Sequence, residues 1–182
     1  MLAVMVSVRP RFCNDIENRK KLEEVRKNSP KLETPFKVYI YCTKDKGRLL
    51  QVLHNGDTFY GATYDGRTQF IKTFTDEYPF WKCGKVIGEF VCDRINVYKY
   101  NSDGCGIEKQ DELLSLSCLS EKELYQYLQG KKPHAWHISN LTIYDEPKDL
   151  CDFMNPYGEH LKSAPQSWCY VQYFKREVDI SL

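Results

Sequence analysis

The strongest constraint on this chain is a succession of short β-rich runs with two helix signals among them and a third segment, Pro147 to Phe153, that reads as a short helix or turn. Leu2 to Val8, Phe36 to Cys42, Lys85 to Tyr100, Trp136 to Tyr144 and Trp168 to Phe174 carry the branched and aromatic residues that suit a pleated, half-buried surface. Pro10 is placed for the first turn of a helix running to about Lys21, with Phe12 and Ile16 at i and i+4 as its core face. Ser120-Glu-Lys-Glu123 is a capping box opening a helix over Glu121 to Gln129, with Leu124, Tyr127 and Leu128 inward and Gly130 as its C-terminal cap. Strands outnumber helices and no βαβ repeat appears, which predicts an α+β chain: a small twisted sheet or partly closed barrel carrying two or three helices.

A length of 182 residues with 42% hydrophobic content is enough for one domain with a real core. From Thr43 to Cys83 the composition shifts to Gly, Asp, Thr and aromatics, and Thr58 to Tyr64 and Thr68 to Phe74 flank Asp65-Gly66 as a tight hairpin. The expectation is a single domain over 1–182 with an inserted β-hairpin region at about 44–82. The longest apolar runs stop far short of the ~18 residues of a membrane span, and no basic segment follows Met1, so no membrane role is expected.

Eight cysteines occur without any Cys-x-x-Cys pair and none lies three or four residues from a His. That spacing predicts core thiols in a reducing cytoplasm rather than a disulfide scaffold or a zinc site. His134 and His137 precede a strand-like run, where odd spacing sends them to opposite sides, and neither a metal nor a cofactor is expected.

Net charge is +1, yet Arg9 to Arg48 holds twelve Lys and Arg against six Asp and Glu, leaving that stretch +6 and the remainder −5. Such a basic portion on a near-neutral chain suits a phosphate-binding surface. Within it Leu22 to Lys27 reads as extended, with Leu22, Glu24 and Arg26 on one side and Glu23 and Val25 on the other. Lys21 at the helix end and Glu24 and Arg26 on one strand face can converge on a small polar ligand; the alternative is a solvated, charged helix end.

Glu89 stands inside the apolar run Gly84 to Asp93. Unless a cation pairs with it, its pKa should be raised, which suits a general base or an acceptor for a nucleobase edge; strand alternation leaves its face open. Trp136, His137, Ser167 and Trp168 fall in two aromatic segments, His134 to Ser139 and Pro165 to Tyr170, where a base could stack on a tryptophan or the indoles could anchor the core. No Walker loop, G-x-S-x-G elbow or dinucleotide fingerprint is present.

Taken together, these motifs resemble the ASCH domain, the activating-signal-cointegrator homology family of the PUA-like superfamily, in its bacterial and phage type. Its signature of roughly G-x-K-x-x-E/T-x-R after a helix is similar to Lys21, Glu24 and Arg26, with Arg19 at the usual glycine. Gly84 to Glu89 resembles the family's glycine-led strand with a carboxylate, and Ala135 to Ser139 and Pro165 to Cys169 resemble its late segments. The resemblance covers most of the chain outside about 44–82. It implies a PUA-like mixed β-barrel with flanking helices and a cleft that binds RNA or a modified nucleoside. There Lys21 and Arg26 would contact phosphate or base acceptors, Glu24 or Glu89 would accept from an exocyclic amine, and Trp136 or Trp168 would stack. Some small relatives are amidohydrolases that deacylate N4-acetylcytidine with a Lys, a Thr and a Glu. Carried over, these fall on Lys21, Glu24 and Glu89, so the hydroxyl nucleophile is replaced by a carboxylate. The alternatives to binding are therefore a hydrolase of acylated cytidine, or a related ribonuclease, using Lys21 and Glu89 with water as nucleophile, and a protein-interaction domain docking through 44–82.

Overall fold

The structure is a computed structural model that describes residues 2–44, 48–52, 58–64, 67–73, 82–102 and 106–173. In chain order these form β1 (Ala3–Val8), α1 (Pro10–Glu17), β2 (Glu23–Arg26), β3 (Phe36–Cys42), β4 (Arg48–Val52), β5 (Thr58–Tyr64), β6 (Arg67–Thr73), β7 (Val86–Cys92) and β8 (Ile95–Val97). There follow α2 (Gln110–Ser117), α3 (Glu121–Leu128), β9 (His134–His137), β10 (Ser139–Lys148), β11 (Phe153–Met154) and β12 (Trp168–Tyr173).

Six strands form one mixed sheet in the order β10-β7-β3-β1-β12-β11. β1 runs parallel to β3, which the crossover through α1 and β2 allows, and the other pairings are antiparallel. β2-β9-β8 form a second sheet. The two are joined twice by continuous chain: β7 passes through Asp93-Arg94 into β8, and β9 passes through Ile138 into β10. The result is a curled half-barrel with three helices against it, an α+β barrel-like fold.

The interior of the curl is filled by Val4, Val6, Val38, Ile40, Ile87 and Phe90 from the main sheet, with Cys13 and Ile16 of α1 and Trp136 of β9. Val25 and Ala135 turn the other way, onto Leu113, Leu124 and Leu128 of α2 and α3. β2 is thus buried on both faces, although three of its four residues are charged. The opposite face of the main sheet carries a separate cluster in which Tyr39, Tyr41 and Val171 pack on Phe153.

The helix after Pro10 stops at Glu17 rather than near Lys21, because the chain turns through Arg19 at φ 55 and the Lys20 and Lys21 amides both return to the Asp15 carbonyl. The run Lys85 to Tyr100 is two strands, broken where Asp93-Arg94 carries the chain from one sheet to the other. Trp136 to Tyr144 is likewise divided at Ile138, and Pro147 lies within β10, where the sheet's edge tolerates a missing amide donor. The capping box of α3 forms as expected, Ser120 and Glu123 bonding each other's backbone amides. α2 has no comparable start signal: Lys109 precedes it at φ 55 without a side-chain cap.

Between β3 and β7 the strands β4, β5 and β6 make a three-stranded antiparallel sheet in which Tyr64 pairs with Arg67, as a hairpin about Asp65-Gly66 requires. The turn itself and Phe74 lie outside the described residues, as do the side chains through which 44–82 would dock a partner. No helix among the described residues is long and apolar enough to cross a membrane.

Two substitutions test this architecture. A Cβ on Gly88 would lie 2.4 Å from the Thr142 carbonyl oxygen on the neighbouring strand, so Gly88→Ala should cost about 2 kcal/mol or more in urea unfolding. Arg19→Gly should relieve left-handed strain and raise stability by up to about 1 kcal/mol, whereas Arg19→Val should lower it.

Candidate functional site

The left-handed turn at Arg19 directs Lys21 back under the helix pair, and β2 then projects Glu24 and Arg26 into the interior. Lys21 Nζ donates to the Ser117 carbonyl at 2.7 Å, at the C-terminus of α2, where carbonyl dipoles favour a cation. It also stands 5.0 Å from the centre of the Phe12 ring and 3.4 Å from Glu24 Oε2. Arg26 Nη2 lies 2.7 Å from Glu24 Oε1 and donates to the Ser7 carbonyl at 2.7 Å, while Nη1 donates to Ser167 Oγ at 3.3 Å. One carboxylate is thus held between two cations, with all three side chains less than a tenth exposed.

Ser7 and Ser167 belong to a clasp that brings the β12 end to this strand. Ser7 Oγ donates to the Pro165 carbonyl at 2.6 Å and the Ser7 amide to the Ser167 carbonyl at 2.9 Å. Trp136 is directly opposite Glu24 across β2 and β9, on the same face. Its ring meets Trp168 edge to face at 5.8 Å, and Trp168 meets Tyr170 at 5.5 Å while its Nε1 donates to Asn28. Lys21, Glu24, Arg26, Trp136, Ser167 and Trp168 therefore come together.

Within this constellation four buried polar atoms lack a hydrogen-bond partner among the described residues: Glu24 Oε2, Arg26 Nε, Ser117 Oγ and Trp136 Nε1. Leaving such a group without a hydrogen bond costs on the order of 1–3 kcal/mol. One atom accepts, two donate, and the serine hydroxyl does either.

Glu89 and His137 are placed elsewhere. Glu89 is opposite Tyr39 on the outer face of the main sheet, whereas Lys21 and Glu24 are on the side of Trp136 and the inner core. It accepts from Lys37 Nζ and from Tyr144 OH, each at 2.5 Å. Burial pushes its carboxyl up, but those two bonds and the charges of Lys37 and Lys148 outweigh burial and hold it below its ordinary value. A cation does pair with Glu89, which is the case in which no raised pKa was expected. His137 lies opposite Glu23 on the face of β9 away from Trp136, with Nδ1 2.6 Å from Asp93 Oδ1.

Sequence reading missed Ser7, Asn28 and Ser117. Ser117 is 96 residues from Lys21, on a helix without a start signal, and no local spacing announces it. Glu23 was read only as facing away from Glu24; its carboxylate is buried, accepting from Asn96 at 2.7 Å and from Tyr98 OH at 3.3 Å. Burial and the adjacent Glu23 charge push the Tyr98 phenol up to about 12.

This architecture is shared with solved structures of ASCH from Zymomonas mobilis. The unaltered protein matches at a TM-score of 0.54 and 17% identity, over 96% of this chain and 89% of that one. A Tyr-to-Phe variant of it matches at 0.55 and 16%, over 96% and 91%. The fold is of the ASCH type, as the sequence motifs implied. No protein-family model matches the chain, and no curated protein does.

Glu24→Gln removes the charge between Lys21 and Arg26 and leaves two buried cations without their counter-charge; unfolding in urea should show a loss of about 3–5 kcal/mol. Because the folded Glu89 carboxyl lies below its ordinary 4.5, its contribution to stability is present above that value and is lost as pH falls through the folded pKa. Glu89→Gln should therefore flatten the acid limb of the stability curve, and Tyr144→Phe should move the Glu89 carboxyl resonance to titrate at higher pH.

Proposed function

We propose that the chain binds a nucleobase or modified nucleoside, carried in RNA, at the Lys21–Glu24–Arg26 constellation. The supporting observation is the set of buried atoms without a hydrogen-bond partner, among which Glu24 Oε2 has only its 3.4 Å ion pair with Lys21. Glu24 Oε2 accepts from an exocyclic amine, and Arg26 Nε, Trp136 Nε1 and Ser117 Oγ meet the ring and carbonyl acceptors beside it. A heterocycle edge presents such a donor next to acceptors, whereas a bare phosphate offers acceptors only. Trp168, half-buried and edge-on to Trp136, is the stacking surface. Arg9, Arg19 and Lys20 are exposed beside the turn that leads into the constellation and take the phosphates of a longer chain. The cytoplasmic setting belongs to the same proposal, on the cysteine spacing.

A second reading, hydrolysis of an acylated cytidine, is favoured by one distance. It needs an ammonium beside a carboxylate to move a proton for the attacking water, and Glu24 stands 3.4 Å from Lys21 Nζ whereas Glu89 is across the sheet. In this reading the proton-transfer pair is Lys21 and Glu24.

Titration of tryptophan fluorescence with a panel of nucleosides, N4-acetylcytidine and short RNAs tests both, with mass spectrometry of products and retained ligand. Binding should be saturable, at least about tenfold weaker in Arg26→Ala, and weaker for RNA at higher salt. Retention of no member of the panel would overturn the proposal. Conversion of N4-acetylcytidine to cytidine, abolished in Lys21→Ala, would transfer the assignment to the hydrolase.

A further inference from the structure

Two cysteines that the site does not use bracket the segment 43–82. Cys42 ends β3 and Cys83 precedes β7, and the chain leaves and returns through a narrow neck. There the Cys42 amide donates to the Lys85 carbonyl at 2.9 Å and the Gly84 amide to the Cys42 carbonyl at 2.8 Å. Across this neck the two Sγ atoms are 3.8 Å apart. A disulfide requires about 2.05 Å, so the two sulfurs, already in contact, have less than about 2 Å left to close. The neck is fastened to the end of α1 by the ion pair of Lys82 with Glu17.

The two sulfurs differ in access. Cys42 is fully buried, whereas Cys83 is partly exposed, so a dissolved oxidant meets Cys83 first. Among the described residues, Cys92 and Cys169 are placed differently. Burial and the charge of Asp93 push Cys92 up to about 12, and burial pushes Cys169 up to about 11, which keeps both protonated and slow to react.

We propose that Cys42 and Cys83 are an oxidation site for hydroperoxides, with Cys83 as the attacking thiolate and Cys42 as the resolving thiol. The Cys83 thiolate attacks the terminal oxygen of the hydroperoxide, the O–O bond breaks, and the leaving oxygen takes a proton to become an alcohol or water. This leaves Cys83 as a sulfenic acid. Cys42 Sγ then attacks the Cys83 sulfur, the S–O bond breaks, and the departing oxygen leaves as water with the thiol's proton. Two thiols lose two electrons and two protons, the hydroperoxide is reduced, and the new bond ties β3 to β7 at the root of 43–82.

The test uses the reduced, full-length protein. It is treated with hydrogen peroxide, its remaining thiols are alkylated, and it is digested without reductant for mass spectrometry. The expected result is a cross-linked peptide joining Cys42 to Cys83, at least about tenfold more abundant than any other cysteine pair because the partners are preplaced. In Cys42→Ala the sulfenic acid should persist on Cys83 and be trapped by dimedone. Full alkylation of both Cys42 and Cys83 under conditions that oxidise the exposed Cys151 would overturn the proposal, as would a dominant cross-link elsewhere. The decisive measurement is made on the native sequence, so it does not depend on the variant folding.

Discussion

The interaction on which the most depends is the pairing of Glu24 with Lys21 and Arg26 inside the protein. Removing three charges from water costs several kcal/mol per ion, and mutual attraction recovers that only where the remaining donors and acceptors are met. Here Lys21 ends on the last carbonyl of α2, and Arg26 ends on the backbone of β1 and the hydroxyl of Ser167. One short strand thereby fastens a helix, the central strand and the approach to β12 to a single carboxylate.

The curled sheet divides the chemistry of the molecule into compartments. Alternation along β3 sends Val38 and Ile40 inward and Tyr39 and Tyr41 outward, and every strand paired with it inherits the same partition. Glu24 and Glu89 are thus both carboxylates on strands, yet one is enclosed between two cations and the other is held at an outer face by Lys37 and Tyr144. Proton transfer between Lys21 and Glu89 would have to cross the sheet, whereas Glu24 is within ion-pair distance of Lys21.

The end of α1 is where several of these features meet. The helix stops because Arg19 takes the left-handed turn, which sets the direction of Lys21; Glu17, one residue before the cap, holds Lys82 at the root of the segment 43–82. A covalent change at the neck between Cys42 and Cys83 would act next to the turn that positions the interior cations.

By itself the sequence determined most of the strand segments, the capping box of α3, the shared face of Glu24 and Arg26 with Lys21 able to converge on it, and the resemblance that pointed to an ASCH-type fold. These are local: branched residues, a Ser-x-x-Glu spacing and period-two alternation act over a few residues. Only the tertiary structure decided where a long apolar run bends from one sheet into the next, because both halves of Lys85 to Tyr100 satisfy strand propensity and the break at Asp93-Arg94 falls where the chain passes between the two sheets. It also decided the face of Glu89, since alternation gives the relative but not the absolute side of a strand, and the register with Tyr39 settles it. Ser117 and Ser7 entered the site for the same reason: their partners are distant in sequence, and what joins them is the requirement that buried charges find hydrogen bonds wherever the fold provides them.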